Sequence, residues 1–312
     1  MKRAEICAKI GAIEQLAGIR EVREAATGMR LIEIDNGLMQ LTILADRGFD
    51  VGGVRCYGQN YAFLAKGGLG YVPERDILGG LFFTCGPDNV GPAENGMPMH
   101  GSFRMTGADQ ISQETWWDGD RYRLRVSGRL VCGKLFGGRI VMRRTIETEY
   151  GSASFRVKDE IENEGAFVWP LMLLYHINSG YPLLDTGSRV EIPPCRTYLR
   201  GGTEEVSPEV WQTMPAPAPQ VPERVYYHEG IAGDVTLRLF HPENNHALSI
   251  SYDAAVLPVL TQWISVASGD YVMGLEPGNC HVEGLSGEEA RGSTERLMPG
   301  EKKTIHLTFA FS

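Results

Sequence analysis

The chain has 312 residues, of which 43% are hydrophobic and 22% charged, a composition typical of a soluble globular protein. Its net charge of -9 at pH 7 argues against a nucleic-acid partner, because proteins that bind phosphate backbones usually carry a basic face. The sequence has no run of about 18 apolar residues, so we expect neither a membrane-spanning helix nor a membrane partner.

The N-terminal stretch and the cysteines bear on the location of the protein. Residues 1–18 begin with basic side chains but lack the apolar core of a signal peptide, since Glu5, Lys9 and Glu14 interrupt it. The 6 cysteines are scattered without a Cys-x-x-Cys pair, which predicts free thiols. Together these features predict a cytoplasmic protein.

Short alternating segments predict strands along most of the chain. A short helix is predicted at residues 10–16. Two strands at residues 31–44 are joined by Asn36-Gly37, a hairpin signal because both residues tolerate positive φ. Alternation continues in "RYRLRVSGRLV" around Ser127-Gly128, "GRIVMRRTIETEYGSASFRVKDEIEN" around Gly151-Ser152, "VTLRLFHPENNHALSISY" with a turn at Asn244-Asn245, and the terminal "KKTIHLTFAF". Strands that recur about every 8–12 residues predict an all-β sandwich or barrel.

The domain organisation follows from the same patterning. The proline-rich stretch at residues 212–222 is interpreted as a loop that crosses the fold, because strand patterning resumes unchanged after it. The 38 glycines and 17 prolines fit many turns and few long helices. We predict a single domain over residues 1–312, with residues 1–30 as an N-terminal extension packed on it.

Two histidines stand in segments that suggest a site. His100 in "MHGSF" is followed by Gly101, which allows another backbone or a ligand to approach closely, although a surface histidine in a turn is the simpler interpretation. His176 ends the nearly continuous apolar run of "WPLMLLYH", where a satisfied core imidazole is one interpretation. The other is a functional site, because polar residues, including Asn178, follow His176 at once, at the mouth of a buried strand.

A carboxylate and an aromatic side chain lie further along the chain. Glu276 in "YVMGLEPGN" is flanked by apolar residues, so partial desolvation would raise its pKa and make it a better base. Pairing with a lysine or arginine is the alternative. Upstream, "VLTQWIS" offers Gln262 and Trp263, an amide beside an aromatic face, which is a usual arrangement for holding a sugar. A core tryptophan is the more common case.

With these residues identified, the chain resembles the galactose mutarotase (aldose 1-epimerase) superfamily, and more closely a bacterial aldose 1-epimerase-like branch. The resemblance covers residues 31–311. It is carried by the order and spacing of "LADRGFDVGGVRCYGQNYAF", "GGLFFTCGPDNVGP", "MHGSF", "LLYHINSGYPLL" and "GLEPGN…LMPGE". The resemblance implies a large antiparallel β-sandwich of one domain, the galactose mutarotase-like supersandwich, with the site in a cleft on one sheet.

The resemblance also implies catalytic roles. His100 matches a histidine that binds sugar hydroxyls near the reacting centre. His176 matches the general acid that protonates the ring oxygen, and Glu276 matches the general base on the anomeric hydroxyl. We expect His176 and Glu276 to face each other across an open hollow, about one pyranose apart. This acid–base chemistry requires neither a cofactor nor a metal.

Substrate contacts are predicted partly from the resemblance and partly from the residues described above. Asn89 in "GPDNVGP" matches a family asparagine near the first histidine. Arg47 in "ADRGFD" marks the branch, either as a substrate contact or in an internal salt bridge with Asp46 or Asp50. The predicted substrate-binding residues are Asn89, Arg47, Gln262, Trp263 and Asn178.

Several functions stay open because the sequence departs from the family. His176-Ile177-Asn178-Ser179 stands where true mutarotases usually have histidine, proline, tyrosine and phenylalanine. Besides an aldose 1-epimerase, the alternatives are an isomerase, epimerase or lyase acting on a keto sugar or sugar acid, and a non-catalytic sugar-binding or sensing protein. In the second case, metal assistance is a further alternative, with a divalent metal held by His100, His176 and His281 or Glu276. The predicted partner is a monosaccharide or a sugar derivative, and a homodimer is left open.

Overall fold

The computed structural model describes residues 2–69, 79–244 and 246–312. The strands are β1 (Gly18–Arg23), β2 (Arg30–Asp35), β3 (Met39–Leu44), β4 (Asp50–Cys56), β5 (Gln59–Asn60), β6 (Phe82–Cys85), β7 (Asp109–Asp118), β8 (Arg121–Gly133), β9 (Arg139–Glu149), β10 (Ser154–Asn163), β11 (Trp169–Leu171), β12 (Leu174–Ser179), β13 (Arg189–Glu191), β14 (Arg196–Leu199), β15 (Arg224–Glu229), β16 (Asp234–Phe240), β17 (Ala247–Asp253), β18 (Val259–Ala267), β19 (Asp270–Gly278), β20 (Glu295–Leu297) and β21 (Lys302–Phe311). The helices are α1 (Arg3–Cys7), α2 (Pro208–Trp211) and α3 (Gly284–Arg291), with 3-10 turns at Ile13–Gln15 and Phe103–Met105. In the described part of the chain, no helix has the length and apolar character that crossing a membrane requires.

The strands form sheets whose paired members run antiparallel, which confirms the predicted all-β class. One sheet of 5 strands has the order β1-β2-β3-β4-β5, and one of 8 strands has the order β13-β16-β17-β21-β10-β9-β8-β7. A sheet of 6 strands has the order β14-β15-β18-β19-β12-β6, and β11 pairs with β20. The architecture is the predicted large antiparallel β-sandwich.

Several predicted turns and strands can be compared directly with the structure. Asn36-Gly37 joins β2 to β3, and Gly37 has a φ of 86°, as the hairpin signal predicts. The segment around Ser127-Gly128 forms one continuous strand, β8, and Gly151-Ser152 separates β9 from β10. The turn predicted at Asn244-Asn245 includes Asn245, which lies outside the described residues.

The N-terminal residues differ in part from the prediction. The helix predicted at residues 10–16 is wrong, because only the 3-10 turn Ile13–Gln15 forms there and the α-helix lies earlier, at Arg3–Cys7. Glycine at position 11 disfavours a longer helix. Within the predicted extension, β1 pairs with β2 as the edge of the first sheet.

Alternating side chains from the three larger sheets meet in one hydrophobic core. In the sheet of 6 strands, Tyr175 and Ile177 of β12 and Met273 and Leu275 of β19 point into this core. Successive side chains of a strand point to opposite faces. The residues between them therefore face the other side of the sheet, which leaves that side available for a site.

A buried ionic network lies within the core. Arg144 of β9 pairs with Asp50 of β4 at 2.5 Å and with Asp159 of β10 at 2.6 Å. Arg144 also donates to Oγ1 of Thr84 on β6 at 2.7 Å, and the hydroxyl of Tyr175 donates to Asp159 at 2.6 Å. The network therefore joins all three larger sheets and reaches the strand that carries the predicted general acid.

Candidate active site

His176 lies in β12, between β19 and β6. Its neighbours Tyr175 and Ile177 belong to the core, so the alternation of the strand turns His176 to the opposite face. Phe83, its partner on β6, stacks on the imidazole with 4.4 Å between the ring centroids. The alternation of β12 thus places His176 on the face of the sheet that points away from this core.

Glu276 lies opposite His176 on the adjacent strand β19, in the register set by the pair Ile177–Leu275. Nε2 of His176 is 3.1 Å from Oε1 of Glu276. The expected separation of about one pyranose is therefore wrong. Side chains that face each other on neighbouring strands start from Cβ atoms only about 5 Å apart, so these two groups contact each other directly.

Burial dominates the protonation of this pair, because His176 is 4% exposed and Glu276 1%. Burial raises the pKa of the Glu276 carboxyl well above its usual range. Burial, with His100 nearby, lowers the pKa of the His176 imidazole well below its usual value. Nδ1 of His176 donates to Oδ1 of Asn178 at 2.7 Å. Burial thus favours a neutral imidazole beside a protonated carboxyl, so the pair holds one exchangeable proton in total.

His100 lies in the loop between β6 and β7 and has a left-handed φ of 60°. The next residue, Gly101, has a φ of 79°, and a Cβ there would lie 2.5 Å from the Asn89 carbonyl and 2.6 Å from that of Gly86. This confirms the close backbone approach predicted at Gly101. The His100 ring lies edge-on to His176 with 5.7 Å between centroids. Burial lowers the pKa of His100 to about 4, so the ring is neutral at pH 7.

His100, His176 and Glu276 line one pocket with a volume of about 260 Å³. Pockets for drug-sized ligands range over roughly 300–1,000 Å³, so this one suits a smaller ligand. Thr261 and Trp263 on β18 also contribute to the lining. The structure therefore brings the three predicted catalytic residues together.

Three polar atoms of the pocket lining are buried without a hydrogen-bond partner among the described residues. They are Nδ1 of His100, Oγ1 of Thr261 and Oε1 of Glu276, whose contact with His176 is short but not aligned as a hydrogen bond. A buried polar group left unpaired costs roughly 1–3 kcal/mol, and such groups are rare. All three atoms lie in the lining of this one pocket.

The structure places Trp263 in the pocket lining, with its ring 5.3 Å from the His176 ring, centroid to centroid. Its Nε1 donates to Oε2 of Glu223 at 2.7 Å. Sequence reasoning missed Glu223 and Arg200, which also line the pocket. Arg200 donates to the carboxylate of Glu283 through Nε and Nη2, both at 3.2 Å. Glu223 precedes β15 and Arg200 follows β14, so only the pairing of these strands brings them together.

Gln262 does not reach the pocket. It lies between Thr261 and Trp263 in β18 and points to the opposite face, where it is fully buried. There its Oε1 is 3.1 Å from Nε2 of His228, and its Nε2 donates to the Trp211 carbonyl at 3.1 Å. The prediction placed two adjacent strand residues on one face, which the alternation of a strand forbids.

Asn178 and Asn89 are occupied by protein groups and do not line the pocket. Asn178 is fully buried and accepts the hydrogen bond from Nδ1 of His176, so it orients the imidazole. Asn89 donates to two carbonyls of its own loop, at 2.7 and 3.1 Å, and accepts from the backbone N–H of Leu285. Asn89 therefore holds the loop that carries His100.

Arg47 is also a structural residue in the described geometry. It is 2% exposed and donates to the carbonyls of Leu69 at 2.9 Å and Gly79 at 3.0 Å. Of the two aspartates considered as partners, Asp46 pairs with Arg30 and Asp50 with Arg144, and among the described contacts neither forms a salt bridge with Arg47. Burial lowers the pKa of Arg47 to about 10.

His281, considered as a further metal ligand, lies between two carboxylates. Its Nε2 is 3.1 Å from Glu229 and its Nδ1 is 3.0 Å from Glu288. Within residues 2–69, 79–244 and 246–312, no three His, Cys, Asp or Glu side chains are grouped so as to hold a metal ion.

Comparison with known proteins places the chain in a family. A family model described as "Domain of unknown function (DUF4432)" matches residues 26–311. None of the curated proteins compared with the chain matches it.

Solved structures show the same fold. A protein from Klebsiella pneumoniae with a provisional assignment as an aldose 1-epimerase has a TM-score of 0.86 at 20% identity, covering 96% of this chain and 86% of that one. A galactose mutarotase-like protein from Clostridium acetobutylicum has a TM-score of 0.64 at 12% identity, covering 96% and 99%. Another, from Lactobacillus casei, has a TM-score of 0.59 at 16% identity, covering 90% and 100%. These similarities confirm the predicted galactose mutarotase-like fold.

Proposed function

The chain belongs to the DUF4432 family of domains of unknown function, and we propose that it is an aldose 1-epimerase that interconverts the anomers of a monosaccharide. The observation that carries this proposal is the 3.1 Å contact between His176 and Glu276 in the lining of a pocket of about 260 Å³. Structural neighbours named as aldose 1-epimerase or galactose mutarotase-like proteins support the fold, and an activity like theirs is part of the proposal.

Anomer interconversion requires two proton transfers at neighbouring oxygens. Ring opening removes a proton from the anomeric hydroxyl, O1, and delivers one to the ring oxygen, O5, which leaves a carbonyl at C1. Rotation about the C1–C2 bond presents the other carbonyl face, and the reverse transfers close the opposite anomer. Because O1 and O5 are both bonded to C1, an acid and a base in direct contact can reach both oxygens.

We assign Glu276 as the base at O1 and His176 as the acid at O5. The reactive form is the carboxylate of Glu276 beside the imidazolium of His176. The form that burial favours, a protonated Glu276 beside a neutral His176, differs from it only in the position of one proton. A sugar hydroxyl that donates to Glu276 favours the carboxylate, so substrate binding shifts the single proton of the pair to His176. Each positioned acid or base typically contributes about 10²–10⁴-fold to the rate.

The other polar groups of the pocket suit sugar hydroxyls. His100 is neutral, so its unpaired Nδ1 accepts or donates according to the tautomer. Trp263 offers an apolar ring beside the carboxylate of Glu223, and Arg200 offers guanidinium donors. This combination of an aromatic face with charged donors and acceptors holds both the C–H and the O–H groups of a sugar.

Exchange NMR of an aldose panel, D-glucose, D-galactose, D-mannose and D-xylose, tests the proposal. We expect the protein to accelerate the interconversion of α and β anomers for at least one aldose, with no net consumption of sugar. Exchange at the spontaneous rate throughout the panel contradicts the proposal. Conversion of a keto sugar or sugar acid to a new product would then identify an isomerase or lyase, and binding without conversion a sugar-binding protein.

A further inference from the structure

We propose that Thr261 is a further substrate-contacting residue, which binds the hydroxyl group on C2 of the sugar. The inference rests on the proposed function. Thr261 lines the pocket and is fully buried, and its Oγ1 has no hydrogen-bond partner among the described residues. A threonine hydroxyl can donate one hydrogen bond and accept others, so a sugar hydroxyl satisfies it in both senses.

Thr261 belongs to a row of side chains that crosses four neighbouring strands. On β18 it pairs directly with Glu276 of β19. Glu276 contacts His176 of β12, and His176 pairs with Phe83 of β6. Neighbouring strands lie about 4.8 Å apart, so these three adjacent strands present a hydroxyl, a carboxyl and an imidazole in that order.

The order of this row matches the order of oxygens along one edge of an aldose. O5 and O1 are both attached to C1, and the C2 hydroxyl neighbours O1 on the side away from O5. With O5 at His176 and O1 at Glu276, the next group along the row is Thr261. Its hydroxyl therefore faces the C2 hydroxyl of the bound sugar.

The test measures the rate of anomer exchange of the wild type and of Thr261→Val by exchange NMR, with spontaneous rates subtracted. The substrates are two pairs of sugars, D-glucose with 2-deoxy-D-glucose and D-galactose with 2-deoxy-D-galactose. For the 2-hydroxy sugars we expect Thr261→Val to lower kcat/KM about 10-fold, the effect of one lost hydrogen bond. For the 2-deoxy sugars we expect the wild type and the variant to have equal kcat/KM. Thr261→Ser keeps the hydroxyl and should retain kcat/KM within about 3-fold of wild type.

Equal losses on the 2-hydroxy and 2-deoxy sugars, or no loss on either, overturn the inference. Thr236→Val is the matched control, because Thr236 is exposed in β16 and does not line the pocket. Thermal unfolding of each variant verifies that it is folded.

The wild-type rate of anomer exchange tests the proposed function. The ratio of kcat/KM between the 2-hydroxy and the 2-deoxy sugars, compared between wild type and variant, tests the role of Thr261. If the wild type exchanges no anomers, binding of the same sugars is measured by ligand-observed NMR. A preference for 2-hydroxy sugars that Thr261→Val removes then supports the inference. Binding without that preference, or no binding at all, overturns it.

Discussion

The carboxylate of Glu276 lies over Gly274, two residues earlier in β19, where a Cβ would come within 2.5 Å of Oε1 of Glu276. Glycine at this position therefore leaves the space in which the carboxylate meets His176. We expect Gly274→Ala to displace the carboxylate and to lower kcat for anomer exchange at least about 10-fold, since small displacements of catalytic groups are costly.

The control for Gly274→Ala is Gly53→Ala, a strand glycine whose added Cβ would only make ordinary contact with Thr42 at 3.5 Å. Circular dichroism and thermal unfolding should show that both variants fold. A Gly274→Ala enzyme with wild-type kcat would show that the position of the Glu276 carboxylate is not critical.

Glu276 is expected to lower the stability of the fold at neutral pH. Burial raises the pKa of its carboxyl, so the folded protein retains a proton that the unfolded chain releases above about pH 4.5. With respect to the Glu276 carboxyl, the fold is most stable at low pH, where this group is protonated in both the folded and the unfolded state. This stability is lost as the pH rises. Glu276→Gln should therefore raise Tm by about 2–4 °C at pH 8 and leave it nearly unchanged at pH 4.5. Calorimetry measures both values, with the exposed Glu204→Gln as control; a Tm below wild type at pH 8 contradicts the account.

A buried histidine outside the pocket should make the fold sensitive to acid. His228 is fully buried between Thr197 and Gln262, and burial lowers its pKa to about 4. The unfolded chain binds a proton below about pH 6.5 that folded His228 does not, so stability falls between pH 6.5 and 4, by up to about 1.4 kcal/mol per pH unit.

Urea unfolding of His228→Gln across this range measures the contribution, because a glutamine does not titrate. We expect a flatter dependence of the unfolding free energy on pH than in the wild type. His306→Gln, at an exposed position of β21, is the control and should keep the wild-type slope. Identical slopes for all three proteins would refute the role of His228.

The buried network around Arg144 should dominate the stability of the sandwich. Removing the guanidinium leaves Asp50 and Asp159 buried without their cation, and breaking a buried ion pair on one side costs about 3–5 kcal/mol. Arg144→Met should show this loss in urea unfolding. Arg156→Met, at an exposed position of β10, should change stability by less than about 0.5 kcal/mol. A loss below about 1 kcal/mol for Arg144→Met would contradict the network's importance.

Much of the fold was predictable because strand alternation and turn residues are local signals. The Asn36-Gly37 hairpin and the strands on either side of Gly151 follow directly from them. The apolar run before His176 also predicted a buried strand, but the prediction that His176 ends this strand is wrong, because β12 continues to Ser179. The grouping of His176 with Glu276 came from a family resemblance, since 100 residues separate them along the chain and nothing local connects them.

Other parts of the site could not be predicted in the same way. The alternation rule, applied strictly to "VLTQWIS", would have favoured Thr261 and excluded Gln262, because Thr261 shares the face of Trp263. Asn178 shares a strand face with His176, but only the folded geometry shows that the imidazole itself occupies its oxygen. Arg200 and Glu223 meet through the pairing of β14 with β15, a contact that no local pattern encodes.

The most direct test of the central claim is the rate of anomer exchange of the best wild-type aldose substrate with Glu276→Gln, measured by exchange NMR at pH 7.5. Glutamine keeps the shape of the side chain but cannot accept the O1 proton. We predict a rate about 10²–10⁴-fold below that of the wild type in a protein that remains folded. A Glu276→Gln protein that exchanges anomers as fast as the wild type would contradict the assignment of Glu276 and His176 as the catalytic pair.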